Sequence, residues 1–210
     1  MNVIISVVSQ KGGVGKSALA RTIAAAYDKA HWSVLLADCD DAQSTSQSWA
    51  DRRTQHRDTK LTTKTFRSVL DAISHESDYD LVVIDGAPHA SRGTLQAAEQ
   101  STLTLIPTGS SIDDLKPTVA LVNELQDAGV DPETIHAVLI RVTSDYQATE
   151  ARDTLIGAGA QVIEGSISMQ SEYINALDAG KSLTETRVQS LNDRARAVIK
   201  SINKIIRSKS

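Results

Sequence analysis

The sequence contains a single cysteine, Cys39, among 210 residues. One thiol excludes a disulfide within the chain and any zinc or iron–sulfur site built from the cysteines of one chain. Aromatic residues make up 3% of the sequence, so we do not expect a surface that binds single-stranded nucleic acid by stacking many bases. The net charge is −4. Any binding of nucleic acid must therefore depend on a local basic patch.

Long apolar runs and linkers are also lacking. No apolar segment approaches the roughly 20 residues of a membrane-spanning helix. The first predicted strand begins at Asn2, which leaves no room for a signal peptide, so we expect a cytoplasmic protein. No repeat and no stretch rich in Pro, Gly or Ser divides the chain, so we expect residues 1–210 to form a single domain.

The most informative segment follows an apolar, β-branched run and precedes a helical pattern. It reads Gln10-Lys11-Gly12-Gly13-Val14-Gly15-Lys16-Ser17. Its glycines allow backbone N–H groups to converge on a phosphate, and the positive end of the following helix adds to the attraction. In such a loop Lys16 is expected to reach the β- and γ-phosphates and Ser17 to bind Mg²⁺. The alternative is a structural glycine-rich turn between a strand and a helix.

Apolar strands alternate with helices along the whole chain. This pattern predicts an α/β fold: a doubly wound, mostly parallel sheet with helices on both faces. The predicted strands are 2–9, 33–37, 61–65, 79–85, 102–106, 135–142 and 161–163. The strand at 102–106 is expected to be broken at Pro107. The predicted helices are 18–30, 44–55, 66–75, 113–128, 146–156, 170–179 and 190–207.

Carboxylates follow two of these strands. Asp38 and Asp40 come after the second strand, and Asp85 ends the strand at 79–85. Open α/β sheets bind ligands at the carboxyl ends of their strands. An acid at the end of an apolar strand there is typical of a Walker B motif and can hold a water of the Mg²⁺ shell. For Asp38 and Asp40, service as helix N-caps is the alternative.

Lys11, one residue into the loop, is the mark of the deviant Walker A motif, and the chain resembles the ParA/MinD family of P-loop ATPases. The resemblance is strongest at 10–17, clear at 38–43 and 79–88, and weak after 130. It implies ATP and Mg²⁺ as cofactors and a nucleotide-sandwich homodimer in which Lys11 reaches the phosphates of the other subunit. Lys11 and Lys16 are then catalytic, together with Asp40, which would orient the attacking water.

The same resemblance assigns the remaining ligand contacts. The metal is expected near Ser17, Asp38 and Asp85. Asp41 and Ala42 stand where the family typically has Pro-Gln, and Ile140 replaces the asparagine of an Asn-Arg pair near the base. The expected nucleotide contacts are Lys11, Gly12, Gly13, Val14, Gly15, Lys16, Ser17, Ala18, Arg141, Ser168 and Met169.

The predicted helix at 190–207 carries an apolar stripe and a basic stripe. Residues 191–210 contain six Lys or Arg and one Asp. ParA-type ATPases bind DNA without sequence preference through basic residues near the C-terminus, and the resemblance extends this expectation to the present helix. A solvated charged face is the alternative. The predicted DNA-binding residues are Arg194, Arg196, Lys200, Lys204 and Arg207.

The resemblance therefore implies an ATPase for DNA partition, in plasmid or chromosome segregation, or for cargo positioning. ATP would close the dimer on non-specific double-stranded DNA of the nucleoid, and a ParB-like or cargo-adaptor protein would stimulate slow hydrolysis. The P-loop begins at residue 10, so we expect no N-terminal helix-turn-helix domain.

A different class of function is a MinD-like membrane-surface ATPase. The apolar stripe of Val and Ile lacks the Phe, Trp or Leu that favour insertion into lipid, so no stable membrane insertion is expected. A metabolic P-loop enzyme that phosphorylates a small molecule is a third possibility, and Lys11 speaks against it. Plasmid, chromosome and protein organelle are all compatible as cargo.

Overall fold

A computed structural model describes residues 2–40, 45–54, 59–88 and 92–209, with the backbone alone at 45, 87 and 88. Two of the positions that depart from the family pattern, Asp41 and Ala42, lie outside these ranges, as does the predicted helix start at Ser44. The strands are β1 (Val3–Ser9), β2 (Val34–Asp38), β3 (Leu61–Thr65), β4 (Leu81–Pro88), β5 (Leu103–Thr108), β6 (Ile135–Val142), β7 (Gln161–Val162) and β8 (Ile167–Ser168). The helices are α1 (Lys16–Lys29), α2 (Thr45–Thr54), α3 (Val69–Ile73), α4 (Arg92–Gln100), α5 (Ile112–Asp127), α6 (Asp145–Gly157), α7 (Ser171–Asp178) and α8 (Gln189–Lys209).

The strands form one sheet in the order β3-β2-β4-β1-β5-β6-β7, and β8 pairs with β6. Every pairing among the described strands is parallel. The predicted doubly wound α/β fold is confirmed. Strand β1 lies between β4 and β5, where the strand order changes direction, and such a switch point opens a crevice at the carboxyl ends of the strands.

Two apolar cores hold the helices on the two faces of the sheet. Because side chains alternate along a strand, Ile5 and Val7 of β1 face one core, whereas Ile4 and Val8 face the other. Helices α1, α2, α7 and α8 pack in the first core, and α3, α4, α5 and α6 pack in the second. The P-loop helix and the C-terminal helix therefore share one face of the sheet.

Several boundaries differ from the prediction. The helix α4 was not predicted, because its nine residues include a glycine and bury two alanines and a threonine rather than an apolar stripe. The predicted helix at 66–75 is shortened to α3, whose first turn is capped by the Ser68 side chain. The predicted break at Pro107 is wrong, and β5 continues to Thr108. Its pairing with β6 runs through Pro107 to Thr108, although the proline has no N–H to donate.

Helix α8 buries its apolar stripe. Ala195, Val198 and Ile202 are fully buried, and Ile206 is 4% exposed. Their spacing at three and four residues places them on one face of the helix. Among the described helices, α8 included, none is long and apolar enough to cross a membrane.

Candidate nucleotide and metal site

The P-loop connects Ser9, at the end of β1, to Lys16, at the start of α1. Gly13 and Gly15 adopt left-handed backbone angles, with φ of 74° and 102°, which few residues other than glycine adopt at low cost. A Cβ added at Gly12 or Gly13 would meet nothing within 4 Å, so space beside the loop is open. No side chain caps the N-terminus of α1 at Gly15, and its first-turn N–H groups are suited to bind an anion.

Lys16 is held in a partly desolvated position. The residue is 8% exposed. Burial lowers the pKa of its ammonium group, and the nearby carboxylates of Asp85 and Asp40 oppose that shift. Since an ion in such a place is weakly screened, its attraction for a phosphate is stronger than at an exposed site.

Asp38, the last residue of β2, lies opposite Asp85, which is three residues before the end of the paired strand β4. They are 1% and 2% exposed. Burial raises the pKa of Asp85 to about 6, and hydrogen bonds from Ser17 and Ser46 oppose the rise. Within the described residues, Oδ1 of Asp85 is buried without a hydrogen-bond partner of standard geometry. A carboxylate oxygen in this state, beside the Ser17 hydroxyl, suits a hydrated Mg²⁺ ion.

Asp40 follows β2 at the same edge. Its backbone N–H donates to Oδ1 of Asp38 over 3.1 Å, and its charge acts on Lys16. The structure thus brings together the two carboxylates predicted after β2, the P-loop lysine and the Walker B acid.

An apolar pocket of about 150 Å³ adjoins the other side of the P-loop. Ile140 lines the pocket and is 2% exposed. Arg141 has a positive φ of 62°, uncommon for a non-glycine residue, and its guanidinium donates to the carbonyl of Gly13. Five predicted nucleotide contacts meet in the lining of this pocket: Gly15, Ala18, Arg141, Ser168 and Met169.

Lys11 contacts its own chain. Its Nζ lies 2.5 Å from Oδ1 of Asp114 and 3.4 Å from the carbonyl oxygen of Asp113, both in the first turn of α5. Burial opposes ionisation of Asp114, but hydrogen bonds from Lys11 and Ser111 leave its pKa below the usual value. Helix α5 also contains Pro117. The acid at 114 therefore neutralises the deviant lysine within one subunit.

The predicted DNA-binding residues on α8 divide into two groups. Arg194 donates to Asp145 and to the carbonyl of Ser166, and Arg196 donates to Asp193 over 3.0 Å. By contrast, the side chains nearer the end of α8 are exposed and line an open groove of about 810 Å³ beside Glu164 and Gly165. These exposed cations are Lys200, Lys204 and Arg207, which we call the distal basic cluster.

The sequence profile of the CbiA family, described as the CobQ/CobB/MinD/ParA nucleotide binding domain, matches residues 5–183. The chain belongs to this family. It is 32% identical over 188 residues to "Maintenance of carboxysome distribution protein A" of Gloeobacter kilaueensis. The aligned region covers 88% of this chain and 85% of that protein. It is 28% identical over 189 residues to "Protein ParA" of Rhizobium radiobacter. Here the aligned region covers 86% of this chain and 84% of that protein.

The fold of this ParA/MinD-family ATPase also matches solved structures. A Cyanothece McdA variant in complex with ATP superposes with a TM-score of 0.75, at 14% sequence identity and with 96% of each chain covered. At that identity the likeness shows the fold alone. The family and fold inferred from Lys11 and the P-loop are thereby confirmed.

Two buried residues of the metal edge were missed by the sequence analysis. The side chains of Arg21 and Ser46 form a hydrogen bond with each other, and Ser46 in turn contacts Asp38 and Asp85. Arg21 carries a signal, because it is a charged residue within an alanine-rich helix. Ser46 carries none, because a serine near a helix start is ordinarily taken for a capping residue.

Proposed function

We propose that this ParA/MinD-family ATPase binds ATP with Mg²⁺, closes into a homodimer and holds non-specific double-stranded DNA while it positions a cargo. One observation carries the nucleotide part. Lys16, Asp38 and Asp85 converge at one sheet edge, and within the described chain Oδ1 of Asp85 is buried without a hydrogen-bond partner of standard geometry. Such an arrangement of one cation and two acids supports phosphate and metal binding rather than a structural turn.

Each residue of the site has a distinct role in this proposal. The P-loop N–H groups and Lys16 bind the β- and γ-phosphates, and Ser17, Asp38 and Asp85 would hold Mg²⁺. The ion supplies charge neutralisation on the phosphate oxygens. Asp40 orients the attacking water, and the apolar pocket beside Ile140 receives the base.

Replacing Asp40 with alanine should stop hydrolysis without preventing ATP binding. Positioning and electrostatics dominate phosphoryl transfer, so loss of the residue that orients water lowers the rate and traps the nucleotide-bound dimer. We expect a fall of roughly 10²-fold or more in phosphate release, with the dimer persisting in ATP by analytical ultracentrifugation. Asp78→Ala, an exposed acid of a 3₁₀ turn, is the matched control. Normal turnover by Asp40→Ala would remove Asp40 from the mechanism.

Replacing Lys11 with alanine should leave a monomer that binds ATP and does not hydrolyse it. In the proposed dimer Lys11 leaves Asp114 and reaches the phosphates of the other subunit. Asp114→Asn removes the ion pair but keeps the lysine, so it should dimerise at lower ATP concentrations than the wild type. Light scattering with phosphate release measures both variants. Dimerisation and normal turnover by Lys11→Ala would contradict the cross-subunit role.

The DNA part of the proposal is supported by the distal basic cluster. Lys200, Lys204 and Arg207 are exposed on one helix of an otherwise acidic chain. One copy offers few phosphate contacts, whereas a closed dimer places two copies on one duplex and raises the effective concentration of the second. We therefore expect DNA binding to require ATP.

A MinD-like membrane role is the alternative, and the packing of α8 speaks against it. Insertion of an amphipathic helix requires a free apolar face, whereas Ala195, Val198 and Ile202 of α8 are fully buried. Gel retardation of unrelated DNA duplexes and pelleting with anionic liposomes, each with ATP, test the DNA-binding and membrane-binding hypotheses. Liposome binding without DNA binding would replace the DNA proposal.

The cargo is selected by a ParB-like or adaptor partner in this proposal. One relative is named for carboxysome distribution and the other is named ParA. We infer that the cargo is either a DNA molecule or a protein organelle, and that the partner stimulates the slow basal hydrolysis.

A further inference from the structure

Ser46 lies between the two acids of the metal edge. It is fully buried in the second position of α2. Its backbone N–H donates to Oδ2 of Asp38 over 3.0 Å, and its hydroxyl donates to Oδ2 of Asp85 over 2.9 Å. One residue therefore fixes one oxygen of each acid, on two different strands.

Arg21 sets the direction of the hydroxyl proton. Its Nε donates to the Ser46 hydroxyl over 3.1 Å, and the side chain comes from α1, which also carries Lys16 and Ser17. Because a guanidinium has donors and no acceptor, the serine oxygen must accept from it and direct its own proton to Asp85. The hydrogen bonds thus run in one sense, from Arg21 to Ser46 to Asp85.

This chain of hydrogen bonds leaves the other oxygen of Asp85 available. Among the described residues, Oδ1 has no hydrogen-bond partner of standard geometry, whereas Oδ2 is held by Ser46. The Ser17 hydroxyl also acts on this carboxylate. Arg21 is 8% exposed, and its charge lies near both Asp38 and Asp85. It therefore also offsets the repulsion between two buried carboxylates.

We propose that Ser46 and Arg21 are positioning residues for Mg²⁺, which orient Asp38 and Asp85 so that nucleotide and metal bind together. The inference rests on the proposed Mg–ATP site and deepens it. Residues that orient metal-binding groups without touching the ion typically change metal affinity or activity by roughly 10- to 100-fold when they are replaced.

The test is the effect of Mg²⁺ on ATP affinity, measured by isothermal titration calorimetry with excess Mg²⁺ and again with EDTA. The ratio of the two dissociation constants is the Mg²⁺ coupling. Ser46→Ala should lower that coupling by about 10-fold or more while affinity in EDTA stays close to wild type. Ser46→Thr keeps the hydroxyl and should restore the coupling. Ser101→Ala removes another buried serine hydroxyl, which lies just after the end of α4 and donates to the carbonyl of Ala97, and should leave the coupling unchanged.

Two substitutions at Arg21 separate its hydrogen bond from its charge. Glutamine places an amide N–H at the same bond distance from the backbone as the arginine Nε, whereas methionine has a similar length and no donor. Arg21→Gln should keep the wild-type coupling or exceed it, and Arg21→Met should lose it. Equal coupling in these two variants would overturn the role of the hydrogen bond.

The outcomes distinguish failure of the positioning role from failure of the proposed Mg–ATP site. If the wild type binds ATP equally with Mg²⁺ and with EDTA, the proposed metal site fails. If the wild type shows coupling and Ser46→Ala shows the same coupling, the positioning role fails while the metal site stands. Should Ser46→Ala not fold by circular dichroism, Ser46→Thr and the two Arg21 variants decide the result.

Discussion

Replacing Lys16 with alanine should abolish ATP binding. The ammonium lies in a weakly screened position, 8% exposed, at the start of α1. Breaking a buried ion pair by removing one partner costs about 3–5 kcal/mol, which corresponds to a loss of affinity of roughly 10²- to 10⁴-fold. We expect titration calorimetry with Mg–ATP to show no binding at concentrations that saturate the wild type.

The matched control for this loss is Lys29→Ala. Lys29 lies in the last turn of the same helix and is exposed, so its removal changes the net charge equally without touching the P-loop. An exposed substitution typically alters stability by about 0.5 kcal/mol or less. Circular dichroism should show that both variants are folded. Tight ATP binding by Lys16→Ala would overturn the assignment of the nucleotide site.

Neutralising the distal basic cluster should remove most of the DNA affinity. Lys200, Lys204 and Arg207 are changed together to glutamine, and Arg194 and Arg196 are left in place because they already hold partners within the chain. A dimer loses up to six charges. Each phosphate contact contributes about −0.9 to the slope of log affinity against log salt, so we expect a much flatter slope and a loss of roughly 10²-fold or more near 0.1 M salt.

The chain offers a control of equal charge for the DNA experiment. Lys60, Lys64 and Arg67 are exposed in and beside β3, at the opposite edge of the sheet from the described end of β7. Their joint change to glutamine should leave the salt slope unaltered. ATP hydrolysis should persist in both triple variants, because the apolar stripe of α8 is untouched. A wild-type slope in the distal variant would show that this cluster is a solvated face.

The sequence allowed the fold and the P-loop to be predicted because both depend on local patterns. Residues 10–17 are contiguous, so their spacing alone gives the loop, and buried strands have a clear composition. The pairings of side chains depend instead on how distant segments meet. Lys11 and Asp114 are far apart in the chain, as are Arg21 and Ser46, and no local pattern reports such contacts.

The basic stripe of α8 shows the same limit at the surface. Helical spacing predicted which residues share a face, and Ala195, Val198 and Ile202 are buried as expected. Composition alone could not distinguish a cation that pairs with another part of the chain from a cation exposed to solvent. Arg194 contacts Ser166 and Asp145 because β8 and α6 begin beside α8, and that arrangement follows from the assembled sheet rather than from the helix.

Pro117 provides Lys11 with a second acceptor on α5, besides the carboxylate of Asp114. A proline has no N–H, so the carbonyl of Asp113, four residues earlier, receives no helical hydrogen bond from it. That carbonyl accepts from the Lys11 ammonium instead. A backbone oxygen cannot be protonated in the physiological range, so acidification that discharges Asp114 leaves the lysine one acceptor. The docked position of Lys11 is thus partly encoded in the covalent structure of the main chain.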